Sequence, residues 1–198
     1  MAIAAIVIGL GTIHMFLLVS WIGPFFIFLA GAFDVFDGEV ARRTNKEGPA
    51  GAFLDSNLDR ISDAILILGL VYAGLVNYLW GYVILFLCIM ISYTRSRAEN
   101  EGIEMRGIGF LERAERILIM FGALIIETWA YLLPMWIYGT PIMVFNPLLT
   151  SRPVSWFWFI FIIWYIGALI FTLAQRILYT LKKLKPIQKG TQQPETTN

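Results

Sequence analysis

Runs of apolar residues constrain this chain before anything else does. Several approach twenty predominantly apolar residues, the length at which an α-helix crosses about 30 Å of hydrocarbon. Hydrophobic residues make up 58% of its 198 positions and the mean hydropathy is +0.71, so the chain belongs in a bilayer and a soluble core is excluded. The net charge of +1 carries no basic bias toward nucleic acid. A single cysteine, Cys88, sits in an apolar run, which rules out a disulfide framework. No internal repeat is evident.

The runs divide into six spans. Residues 1–33 would make about 50 Å of helix, too long for one crossing. The break falls at residues 9–14, where two glycines, a threonine and the lone His14 cluster, leaving a shortened first span and Pro24 as a kink in the second. His14 reads as a solvated turn residue. No basic segment precedes the first run, so it lacks the pattern of a cleavable signal. The second span continues to about residue 44. The third covers residues 50–76, the fourth 79–98, the fifth runs from Glu112 to a stop before Pro134, and the sixth covers 154–181. Residues 134–153 read as a proline-containing loop, flanked by Trp129, Trp136, Trp156 and Trp158 as an interfacial belt. Beyond Lys182, Lys183 and Lys185, residues 186–198 read as a disordered polar tail on a membrane domain of residues 1–185. In this layout all lysines and arginines but Arg152 lie on one side, which the positive-inside rule makes cytoplasmic, together with both termini.

On that side the sequence reads DVFDGEVARRTNKEGPAGAFLDSNLD over residues 34–59. Asp34 and Asp37 are spaced i, i+3 and Asp55 and Asp59 i, i+4, so each pair shares one helix face. Two helices joined by the polar turn at residues 44–51 aim all four carboxylates at one point, where they cannot all ionise without a cation. Oxygen-only ligation favours magnesium or manganese over zinc. A second patch, Arg95, Arg97, Arg113, Arg116 and Arg176, gathers at the ends of later spans. Charges there default to functional candidates, although topology and pairing with Glu99, Glu112 and Glu115 account for many of them.

Written out, the acidic segment is D-x2-D-G-x2-A-R-x8-G-x3-D-x3-D, which resembles the signature of the CDP-alcohol phosphotransferase family at every position. The resemblance covers roughly residues 12–182 and implies an all-α integral membrane six-helix bundle, a homodimer, with its catalytic site at the cytoplasmic ends of the helices. Relatives begin with a polar amphipathic segment and a full first helix, so the first helix here is expected to be shortened. The segments at residues 59–63 (DRISD), 93–99 (YTRSRAE), 109–116 (GFLERAER) and Gln175-Arg176 look most like those of the family's inositol-phosphate transferases.

Carried over, the resemblance makes Asp34, Asp37 and Asp55 metal ligands, and Asp59 both a metal-side carboxylate and the general base. Asp37, Gly38, Ala41, Arg42 and Gly51 would bind the CDP-lipid, the small residues leaving room for a nucleotide and its pyrophosphate to approach helix backbone while Arg42 offers a planar donor fork. Arg95, Arg113 and Arg176 would hold the acceptor phosphate. The implied reaction joins a CDP-lipid (CDP-archaeol or CDP-diacylglycerol) to inositol 1-phosphate with release of CMP, assisted by two magnesium or manganese ions, with the lipid entering sideways from the bilayer. Glycerol 3-phosphate is an alternative acceptor. A small cation transporter is the alternative of another class, but it has no need for Gly38, Ala41, Arg42 and Gly51 at fixed positions beside the acids.

Overall fold

A computed structural model describes residues 24, 25, 27–29 and 48–191, with side chains to residue 184. Of the expected second span only residues 24, 25 and 27–29 fall in this set; they are helical, Ile27 is fully buried, and Phe28 lies against Phe121 with ring centroids 5.4 Å apart. The first span, His14 and the segment carrying Asp34, Asp37, Gly38, Ala41 and Arg42 lie outside the described residues.

Helix α1, Pro49–Tyr72, begins where Pro49 occupies the first helical position behind an extended Gly48. It ends four residues before the expected residue 76. Gly74, at φ +73°, takes the left-handed conformation, and the Leu75 and Gly74 amides fold back onto the carbonyls of Leu70 and Val71, closing the helix in a Schellman arrangement. The N-terminal half of α1 is largely exposed, Phe53, Leu54 and Leu58 included, and its buried residues, Leu66, Ile67, Gly69 and Leu70, come only in the second half.

Helix α2, Tyr78–Asn100, starts at Asn77, whose side chain accepts from the Trp80 amide at 3.0 Å and so caps a free donor of the first turn. Gly81 faces Val71 of α1 so closely that any Cβ there would collide with the valine, which sets the α1–α2 hairpin tight. Helix α3, Arg113–Tyr138, opens with a capping box in which Glu112 and Glu115 satisfy each other's backbone amides. Here the expectation of a stop before Pro134 is corrected: the helix carries Pro134 and runs on to Gly139, which closes it in the left-handed conformation. A proline so near the C-terminus removes one backbone bond, and the Gly139 amide restores a terminal bond to the Met135 carbonyl at 3.0 Å.

The loop that follows contains a minimal antiparallel hairpin, β1 (Met143–Val144) with β2 (Val154–Ser155), which leads directly into helix α4, Trp156–Thr191. The α4 backbone remains helical past Pro186. Ser155 caps α4: its hydroxyl accepts from the Trp158 amide at 3.1 Å and donates to Glu127 of α3, which also accepts from the Ser155 amide. Trp158 is not part of an interfacial belt. It is fully buried and its indole donates to the Leu75 carbonyl at 2.9 Å, pinning the α1–α2 turn to α4, whereas Trp129, Trp136 and Trp156 are exposed. Arg152 sits beside this corner, its guanidinium pKa lowered by burial and held up by Glu127 and Tyr131.

Helix α4 packs along α2 and α3, and α1 packs on α2. The core between them is built from Leu70, Ile84, Ile91, Met120, Ile162 and Leu169 with their neighbours. Among the described residues three helices, α2, α3 and α4 as far as Leu184, are long and apolar enough to cross a membrane.

Candidate active site

The charged middle of α1 and the first turns of α3 face each other. Asp59 and Asp63 lie one turn apart on α1, and Arg113 and Arg116 one turn apart on α3, so the four side chains meet across the helix pair. Arg113 Nη1 approaches Asp59 Oδ1 to 2.8 Å, and Arg113 Nε lies 3.9 Å from Asp63 Oδ1. Arg116 Nη2 donates to Asp63 Oδ2 at 3.1 Å. Arg116 is only 3% exposed and lies close enough to Cys88 and Tyr165 to act on them electrostatically, so its charge is carried into the middle of the bundle. A guanidinium buried to that degree in an apolar bundle requires a counter-charge, and Asp63 supplies it.

One turn before Asp59, Asp55 stands exposed on α1. Among the described residues nothing lies within 4 Å of where a Cβ would sit on Gly51, one turn before Asp55. Among the described residues no group of three or more His, Cys, Asp or Glu comes together as a metal site. Asp55 and Asp59 nonetheless offer hard oxygen donors on one helix face, a donor set that fits magnesium or manganese.

The other arginines are anchored separately. Arg176, 3% exposed on α4, donates from Nε to the Ile108 carbonyl at 2.8 Å and from Nη1 to the Ile91 carbonyl at 2.9 Å. It therefore ties α2, the α2–α3 loop and α4 together. That loop passes so near that a Cβ on Gly109, at φ +125°, would come within 2.9 Å of Arg176 Nε, and the Leu111 amide donates to Thr172 Oγ1 at 3.1 Å. Arg95 pairs with Glu99 at 2.9 Å and Arg97 with Glu101 at 2.5 Å, one turn along α2 in each case. Arg95 and Arg116 are both near enough to Arg176 for like-charge repulsion. The structure thus joins Arg113 directly to Asp59, pairs Arg95 with Glu99 along α2, and commits Arg176 to the Ile108 and Ile91 carbonyls. Asp63 and the burial of Arg116 were not among the site residues read from the sequence; the signal available there was the i, i+4 repeat of Asp59 and Asp63 opposite the i, i+3 repeat of Arg113 and Arg116.

The profile of the CDP-alcohol phosphatidyltransferase family matches residues 1–150. The chain belongs to this family. It is 37% identical over 156 residues to archaetidylinositol phosphate synthase of Methanothermobacter thermautotrophicus, an alignment that covers 79% of this chain and 68% of that protein. Against archaetidylinositol phosphate synthase of Pyrococcus horikoshii it is 45% identical over 96 residues, or 48% of this chain and 51% of the relative. The matched part is thus as little as half of a relative's length. In fold the chain is similar to two crystal structures of phosphatidylinositol phosphate synthase from Mycobacterium tuberculosis. The one with CDP-DAG bound gives a TM-score of 0.59 over 89% of this chain and 82% of that one. The one in complex with manganese and citrate gives 0.61 over 90% and 78%. Both are 23% identical, and this likeness bears on the fold alone.

Proposed function

We propose that this member of the family transfers the phospholipid moiety of a CDP-lipid, CDP-archaeol or CDP-diacylglycerol, to a hydroxyl of inositol 1-phosphate with release of CMP. The observation that carries the reading is the 2.8 Å contact between Asp59 and Arg113. It sets the last acid of the signature against the first arginine of α3, so a carboxylate able to take a proton stands beside a guanidinium suited to a phosphate. The names of the relatives, archaetidylinositol phosphate synthase among them, support the same acceptor.

In this reading Asp34, Asp37, Asp55 and Asp59 hold two magnesium or manganese ions, which when bound supply the positive charge that neutralises the pyrophosphate and stabilises departing CMP. Asp37, Gly38, Ala41, Arg42 and Gly51 hold the CDP moiety. Arg113, with Arg95 and Arg176, orients the phosphate of the acceptor through charge-assisted hydrogen bonds. The acceptor hydroxyl attacks the lipid-linked phosphorus, the bond from that phosphorus to the CMP oxygen breaks, and the hydroxyl proton passes to Asp59. No covalent enzyme intermediate is required.

The membrane setting belongs to the same proposal: six helices with a shortened first one, the site at their cytoplasmic ends, a domain of residues 1–185 with a polar tail, and a homodimer. Purified protein in lipid should release CMP from at least one of the two CDP-lipids only when inositol 1-phosphate is added. Absence of release from both, with divalent cation present, refutes the reading.

A further inference from the structure

Between α1 and α3 the charges alternate in a line, Asp59, Arg113, Asp63, Arg116, with successive separations of 2.8, 3.9 and 3.1 Å. The two ends of the line differ in kind. Arg116 is sealed in the core, whereas Arg113 and Asp59 stand at its partly open end. Asp63 is the link between them, because its two oxygens face different arginines: Oδ2 accepts from Arg116 and Oδ1 faces the Nε edge of Arg113.

A single counter-charge for Arg116 would need only one of those oxygens. The second lies 3.9 Å from Arg113 Nε, too far for a hydrogen bond but near enough to favour the cation electrostatically on that edge, while the opposite end of the guanidinium, Nη1, is the end presented to Asp59. An arginine side chain is long and rotatable, and holding it in place before a ligand arrives removes an ordering cost that binding would otherwise bear. Asp63 itself cannot swing away, since doing so would leave Arg116 as an uncompensated charge in the bundle.

We propose that Asp63 is a positioning residue for the acceptor phosphate: anchored by Arg116, it holds Arg113 at the place where a phosphate-bearing alcohol is received beside Asp59. This rests on the acceptor reading above, and places Arg116 as the anchor of Asp63, away from the substrate.

Three variants separate this from simple charge neutralisation. Asp63→Asn alone strands Arg116 as an uncompensated buried charge and destabilises the fold strongly. The double variant Asp63→Asn/Arg116→Met removes both members of the buried pair, an exchange that proteins tolerate well. Arg116→Met alone keeps Asp63 facing Arg113. With thermal unfolding in lipid confirming that the last two are folded, the double variant should raise the KM for inositol 1-phosphate by about tenfold, with kcat and the KM for CDP-lipid changed by less than about threefold. Arg116→Met, which loosens the anchor but leaves the Asp63 carboxylate beside Arg113, should raise the acceptor KM by less than about threefold, well short of the double variant. The same order should appear without turnover, in calorimetric binding of inositol 1-phosphate and of inorganic phosphate in excess EDTA.

If the double variant matches Arg116→Met in both measurements, Asp63 only neutralises Arg116 and the proposal fails. It fails equally if Arg116→Met alone weakens the acceptor as much as the double variant does, because Arg116 would then be the ligand. Should the parent protein show no turnover dependent on inositol 1-phosphate, the functional reading falls separately, and the inorganic phosphate arm still decides the role of Asp63.

Discussion

Replacing Arg176 by methionine tests how the end of the bundle that carries the α2–α3 loop is held together. The substitution keeps an unbranched side chain of similar reach in the core but deletes two hydrogen bonds, 2.8 Å to the Ile108 carbonyl and 2.9 Å to the Ile91 carbonyl. Bonds from a charged donor contribute about 1.5–3 kcal/mol each. The two losses differ, because Ile91 lies inside α2, where its carbonyl also serves the helix, whereas Ile108 sits in a loop and its carbonyl loses the Arg176 bond outright. Part of the loss is offset because a buried guanidinium no longer has to be desolvated, leaving a net destabilisation of about 2–4 kcal/mol. Arg176→Lys should recover less than half of it, since an ammonium lacks the planar fork that reaches both carbonyls. Equilibrium unfolding in mixed detergent and SDS micelles reads the stability, and amide exchange over residues 103–111 reads the loop. A variant within about 0.5 kcal/mol of the parent, the level expected of a neutral surface change, with loop protection intact would refute the reasoning.

Chelation should abolish CMP release and added magnesium or manganese should restore it, whereas Asp55→Ala should lose metal binding and turnover together; undiminished activity in excess chelator, with metal confirmed absent, contradicts the assignment. Asp59→Asn should retain CDP-lipid binding while the chemical rate falls by about 10²-fold or more, as for loss of a general base, with metal content measured alongside. Arg113→Ala should raise the KM for inositol 1-phosphate strongly and change CDP-lipid binding little, with Arg113→Lys a partial rescue in steady-state kinetics.

Much of the architecture was legible because it follows from local rules. The apolar runs marked α2, α3 and α4. The spacing of Asp55 and Asp59 placed them on one face of α1. What escaped reading depended on contacts between distant segments. Trp158 looked like an interfacial anchor because its sequence neighbours are aromatic, and only the Leu75 carbonyl across the bundle explains its burial. Pro134 looked like a stop, yet α3 carries it at the loss of one backbone bond and closes only at Gly139. Asp63 and Arg116 are 53 residues apart, and no local pattern states that one charge neutralises the other inside the core. The hairpin of β1 and β2 has two residues in each strand, too few to leave an alternating pattern.

The central claim, that a phosphate-bearing acceptor is joined to a CDP-activated lipid, is tested most directly by the mass of the lipid product. Reconstituted protein supplied with each CDP-lipid and with inositol 1-phosphate, free inositol or glycerol 3-phosphate in parallel should convert inositol 1-phosphate in strong preference to the others. The product should be a lipid carrying one phosphodiester and one phosphomonoester. Equal use of free inositol, or a preferred product built on glycerol 3-phosphate, would contradict the acceptor assignment.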